Sequence, residues 1–246
     1  MSTQVSQVRI LAILFLLKCV AFASMQIPDA TISPMFGTQS SGSIGLWIGY
    51  DSVGYFKRLM VNDVLVNSDL SSVIPTNVNA ANAVFLGEPC LCINMTDAFQ
   101  DLFKPSPTKP VFPPPSYALI PIDFSDGIIE VDVAANPLGA SAATRGFAGL
   151  VFRVNPSSNV GIINGTQFES VFLRMTNGQA QIPLPSPAQQ GQAMQYVSGP
   201  SFDFSVLRTL AGFRYEAKAN CASYQWVRLK LIIKGNYLCI IIIFAF

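Results

Sequence analysis

Six segments between residues 126 and 235 decide the fold: DGIIEVDV (126–133), RGFAGLVFRV (145–154), QFESVFLRMTNG (167–178), QAMQYVSGP (192–200), GFRYEAKA (212–219) and WVRLKLIIKG (226–235). Each alternates apolar and polar residues and each ends in or is followed by Gly, Pro or Asn. Period-two alternation closed by turn residues marks strands with one buried face, and a run of them predicts an all-β, antiparallel β-sandwich.

Working outward, GSIGLWIGY (42–50) and GYFKRLMVN (54–62) flank Asp51-Ser52 and read as a hairpin. Residues 62–117 read as an irregular segment that holds one strand around Cys90 (83–94) and a short helix at 96–103 capped by Thr96 or Asp97. Within it, KPSPTKPVFPPPS (104–116) packs so many prolines that it must be extended and unpaired. A second proline-rich loop lies at 183–192. The ending, YLCIIIIFAF (237–246), is too short to cross a bilayer and reads as a buried or edge strand.

At the other end, Arg9, the apolar stretch 10–17 and Ala21-Phe22-Ala23 read as a secretory signal peptide over 1–23. Residues 24–246 then form a single sandwich domain, secreted or at the cell surface. A formal net charge of +1 with 12% charged residues gives no electrostatic reason to expect nucleic acid or an anionic membrane as partner. The chain has no histidine, which removes imidazole bases, Ser-His-Asp and Cys-His nucleophiles and histidine-ligated metals. No metal site or cofactor is expected, and structural calcium is not indicated.

In an exported chain Cys90, Cys92, Cys221 and Cys239 read as disulfide formers. Cys90 and Cys92 are expected on opposite faces of their strand and not paired with each other. Asn94-Met95-Thr96 and Asn164-Gly165-Thr166 are glycosylation acceptors in a eukaryotic host, which favours surface placement.

For chemistry, Glu130 and Asp132 share a strand face and sit roughly 6–7 Å apart by strand rise. That spacing makes them candidates for acid and base in glycoside hydrolysis, with Glu169 as a third carboxylate. Solvated carboxylates on a wet face are the plainer reading. Arg153, Glu169, Arg174, Gln195 and Tyr196 are candidates for binding a ligand, because planar amphipathic side chains hydrogen-bond and stack on sugars. The odd spacing of Glu169 and Arg174 puts them on opposite faces unless a bulge intervenes. Trp47 and Trp226 read first as core residues and second as sugar platforms.

In order and spacing these segments resemble the concanavalin A-like lectin/glucanase sandwich, closest to its laminin G-like and 3-keto-disaccharide hydrolase-like branch. The most specific points are Arg153, Glu169, Arg174 and Gln195-Tyr196. The resemblance implies a jelly roll whose concave face binds or cleaves carbohydrate or polysaccharide. Glu130-Val131-Asp132 lacks the third acid of the hydrolytic members, which favours binding without catalysis; a glycoside hydrolase and a structural extracellular module are the alternatives. Residues 28–61 resemble the closing strands of such a domain placed ahead of the main block (118–238). A permuted or truncated chain follows, in which both segments pair with strands of the block in one sheet system.

Overall fold

The computed structural model describes residues 29–66, 72–102, 116–139, 144–155 and 166–245. The signal peptide, most of the proline-rich 104–116 loop and the Asn164 acceptor lie outside the described residues. In chain order the strands are β1 (Ala30–Ile32), β2 (Gly42–Ile48), β3 (Ser52–Val61), β4 (Val64–Leu65), β5 (Ile74–Thr76), β6 (Val78–Phe85) and β7 (Glu88–Met95). After helix α1 (Asp97–Leu102) come β8 (Tyr117–Phe124), β9 (Gly127–Pro137), β10 (Phe147–Asn155) and β11 (Gln167–Arg174). The chain ends with α2 (Pro187–Gln190), β12 (Met194–Gly199), α3 (Phe204–Ala211), β13 (Glu216–Ala217), β14 (Val227–Lys234) and β15 (Tyr237–Phe244).

These strands make two antiparallel sheets, an all-β sandwich. One has eight strands in the order β1-β15-β14-β9-β3-β7-β6, with β4 on β3; the other has seven, β13-β12-β11-β10-β2-β8-β5. Alternation explains the packing. In β14, Val227, Leu229, Leu231 and Ile233 turn into the core while Arg228 and Lys230 turn out. From the seven-stranded sheet, Ile44, Leu46, Ile48, Leu150, Val171 and Leu173 complete that core. The second face of the seven-stranded sheet is also closed: Trp47 stacks on Phe172 at 4.7 Å and Val197 is fully buried. Strands buried on both faces read as continuous apolar runs, as FAGLVF and SVFL do.

Several expectations are corrected. GSIGLWI and GYFKRLMV form no hairpin: β2 lies between β10 and β8, and β3 between β9 and β7 in the opposite sheet. Gly49-Tyr50-Asp51 crosses from sheet to sheet, pinned by the buried Ser52, whose Oγ donates to Tyr50 O and accepts from Phe147 N. Both segments do pair with the main block, as expected, but in different sheets, because long-range partners occupy both edges of each strand.

The described residues of 62–117 are not irregular. They supply β4 to β7 and α1, and the strand expected over 83–94 is two strands joined at Leu86-Gly87, both at positive φ (51° and 81°). A two-residue turn in that conformation matches strand twist and closes a hairpin. Its apolar alternation is weak because the edge strand VNAANAVF is built from small residues. Cys90 and Cys92, two apart, share one half-buried face of β7, while Leu91 and Ile93 enter the core. All four of these cysteines are free thiols, so no disulfide ties them.

The helix expected at 96–103 is α1, and the isoleucine-rich ending is β15, paired on one side with β14 and on the other with β1. That pairing satisfies its backbone and removes the exposed edge its sequence suggested.

Candidate functional site

The carboxylates singled out from the sequence divide between the sheets. Glu130 and Asp132 do share a face, the outer face of the eight-stranded sheet. There Glu130 takes a bond from Lys230 Nζ at 2.7 Å, and Asp132, buried, is held by Arg228 Nε and Nη2 at 2.7 and 3.1 Å. The register explains this: β14 pairs with β9 so that Arg228 faces Asp132 and Lys230 faces Glu130. Opposite charges directly across a ladder stabilise the pairing. Each of these carboxylates is occupied by its neighbour.

Glu169 lies on the other sheet, on the inward face of β11, opposite Ser198 of β12 and Phe152 of β10. Arg174, at an odd spacing, is on the outward face as parity requires. There it joins Gln195, opposite Phe172, and Glu216. Arg174 Nη2 donates to Gln195 Oε1 at 3.1 Å and Nη1 to Glu216 Oε1 at 3.3 Å, with the guanidinium over the Phe172 ring at 5.4 Å. Arg208 of α3 completes the group with two bonds to Glu216, at 2.9 and 2.7 Å. Burial pulls the Arg174 pKa down to about 10 against the pull of Glu216. Gln195 spends its amide on the carbonyls of Tyr196 and Tyr215. This network is internally satisfied and holds α3 and β13 on β12.

The other three candidates converge. At the end of β10 the ladder slips between Phe152 and Asn155, and Arg153 adopts φ +51° in that bulge. Bulges re-aim side chains. Arg153 is buried, with Nε on Ser125 O at 3.0 Å and Nη2 on Asp126 Oδ1 and Gly235 O, both at 2.9 Å. Arg153 and Glu169 line one cleft of about 140 Å³, and Tyr196 stands behind it with its hydroxyl on Glu169.

The cleft is closed on its far side by the connector from β1 to β2, chiefly Phe36, Gly37 and Gln39, and by Phe202 after β12. Phe36 stacks on Phe202 with centroids 4.4 Å apart. Gln39 and Gln167 are hydrogen-bonded side chain to side chain, and Asn155 donates to Gln39 Oε1 at 3.0 Å. Gly37 is obligatory: a Cβ there would sit 1.8 Å from Glu169 Oε1.

Burial raises the Glu169 pKa to about 7; the Tyr196 hydrogen bond and the Arg153 charge oppose the rise without cancelling it. Oε2 accepts from Tyr196, whereas the buried Oε1 lies against Gly37, where the Gly37 N–H and the Ser198 hydroxyl stand close enough to lower the pKa without a well-aligned hydrogen bond. The cleft can offer the Gln39 and Gln167 amides and Ser198 to a small polar ligand beside the Phe36 and Phe202 rings, with Glu169 Oε1 covered by Gly37. Among the described residues Glu169 is the carboxylate that lines the cleft, while Asp126 is held on Arg153.

Sequence reading missed Phe36, Gly37, Gln39 and Phe202. SPMFGTQSSG (33–42) shows Met35 and Phe36 among small and polar loop residues, and nothing local says that it folds over a carboxylate far along the chain. Trp47 is a core residue, and Trp226 is largely buried on the outer face of the eight-stranded sheet with Lys57 Nζ 4.6 Å from its ring. Asn94 is half-buried and donates to Met95 O at 2.9 Å.

No family model, no curated protein and no solved structure matches this chain.

Proposed function

We propose that this chain is an exported carbohydrate-binding or cell-surface recognition domain, a permuted jelly roll of the concanavalin A-like class, which holds a saccharide in the Glu169 cleft without hydrolysing it. One observation carries the reading: a buried carboxyl lines a small cleft that also offers amides, a serine and a stacked aromatic wall. Polar groups that converge in a partly apolar concavity are the usual make-up of a small-ligand site. A role without hydrolysis is favoured because two-carboxylate hydrolysis needs a second acid within roughly 5–9.5 Å of the first, and the candidates Glu130 and Asp132 are ion-paired on the opposite sheet.

The test is calorimetric titration of the whole chain with laminarihexaose, cellohexaose and N-acetylchitohexaose. Binding of one of them, lost in Glu169→Gln and kept in Glu130→Gln, supports the cleft; no binding of any sugar, or equal loss in both variants, overturns it.

A second reading, a hydrolase with Glu169 as general acid, is favoured by that residue's pKa of about 7. Reducing-sugar release that Glu169→Gln abolishes would establish it in place of simple binding.

A further inference from the structure

A groove of about 760 Å³ opens in the eight-stranded sheet where two hairpins diverge. The β3–β7 ladder runs from Val53↔Asn94 to Phe56↔Leu91 and stops. From there β3 bulges away, Arg58 takes φ +53°, and β4 folds back onto Met60 and Val61. The β6–β7 hairpin continues alone to its turn at Leu86-Gly87. The space between reaches down to the core side chains Phe56 and Leu91 and is walled by Leu65 and Val66 on one side and Ala83 and Pro89 on the other. Its volume falls within the roughly 300–1,000 Å³ of small-molecule sites. Apolar residues also stand out at both hairpins: Leu65 is 67% and Val84 71% exposed.

Two cations and one anion line the groove. Lys57 and Arg58 line it together with Glu88, whose Oε2 is 3.4 Å from Lys57 Nζ. The Arg58 side chain is 60% exposed, and the Asp132 carboxylate 4.0 Å from its Nε is already held by Arg228 at 2.7 Å. Among the described residues Glu88 therefore answers Lys57 and Asp132 is held chiefly by Arg228, so that Arg58, at the longer 4.0 Å from Asp132, is the groove cation most open to a further anion. A bulge that turns an arginine to the mouth of an apolar groove has the two parts that a fatty-acid-like molecule needs. This site is separate from the Glu169 cleft and does not depend on the saccharide reading.

We propose that this groove binds a single-chain carboxylate amphiphile, its apolar tail between the β3–β4 and β6–β7 hairpins and its head group on Arg58.

The experiment is calorimetric titration of the full chain with dodecanoate at monomeric concentrations, with dodecyltrimethylammonium as the opposite-charge comparison. Dodecanoate is expected to bind at least tenfold more tightly than the cation. Arg58→Gln, an exposed change, is expected to weaken dodecanoate by roughly tenfold, the size of one charge-assisted bond. Ala83→Phe, which fills the groove and keeps the charge, is expected to abolish binding of both, with near-ultraviolet circular dichroism reporting an intact fold. Equal affinity for the two head groups, binding that survives Ala83→Phe, or no binding at all would overturn the proposal. So would self-association in sedimentation that Ala83→Phe removes while dodecanoate leaves it unchanged, since the occupant would then be a second copy of the chain.

Discussion

Tyr196 donates its hydroxyl proton to Glu169 Oε2 at 2.5 Å and accepts the Phe36 N–H at 2.7 Å, so one oxygen joins the buried acid of β11 to the connector that closes the cleft. Tyr196→Phe leaves both the Phe36 N–H and Glu169 Oε2 without that partner. The expected cost is about 1–3 kcal/mol, read as a lower urea midpoint at unchanged slope. Because the lost bond favours the charged carboxylate, the Glu169 titration also moves to higher pH in this variant.

Stability falls as pH rises through the Glu169 range. The folded chain keeps this proton to about pH 7, against an ordinary value of 4.5, so between those values the unfolded chain binds fewer protons. The contribution is fully present below about pH 4.5 and is lost by about pH 7, on the order of 3 kcal/mol at 1.36 kcal/mol per unit. Urea denaturation at intervals across this window should show the decline, and Glu169→Gln should flatten it. A residual slope is expected from Asp29, whose carboxyl burial also pushes up.

Gly37→Ala is expected to destabilise by about 1–3 kcal/mol, because the added methyl falls on Glu169 Oε1 and the connector must lift. Combined with Glu169→Ala, the same substitution should cost much less. A double-mutant cycle measures that coupling, and additive costs would show that the connector is held by something other than its fit over the carboxylate.

On the opposite face of the seven-stranded sheet, Glu216→Ala should cost about 3–5 kcal/mol, because it strands the buried Arg174 guanidinium. Arg208→Ala should cost distinctly less, since Arg208 is part-exposed and Glu216 keeps Arg174. Thermal unfolding of the two variants side by side gives the order; equal losses would mean that Arg174 finds water or another acceptor.

Much of the scaffold was legible in the chain. Alternation located β9, β10, β11, β12 and β14, and the cap at Thr96-Asp97 located α1. The odd interval from Glu169 to Arg174 put them on opposite faces. The β6–β7 hairpin was partly hidden, because its turn residues, Leu86 and Gly87, interrupt what reads as a single apolar strand.

Sequence alone determined that this is an antiparallel β-sandwich and, in a strand that alternates as clearly as β9, which residues turn inward, because a period of two is written locally. It also excluded histidine chemistry outright. Only the tertiary structure decided which strands are neighbours, that β2 and β3 separate into opposite sheets, and that Glu130 and Asp132 face Lys230 and Arg228. It alone seated Gly37 and Phe36 over Glu169. The physical reason is that sheet pairing and the pKa of a buried acid depend on what stands across from a residue in space, and here those partners are separated by roughly a hundred positions or more along the chain.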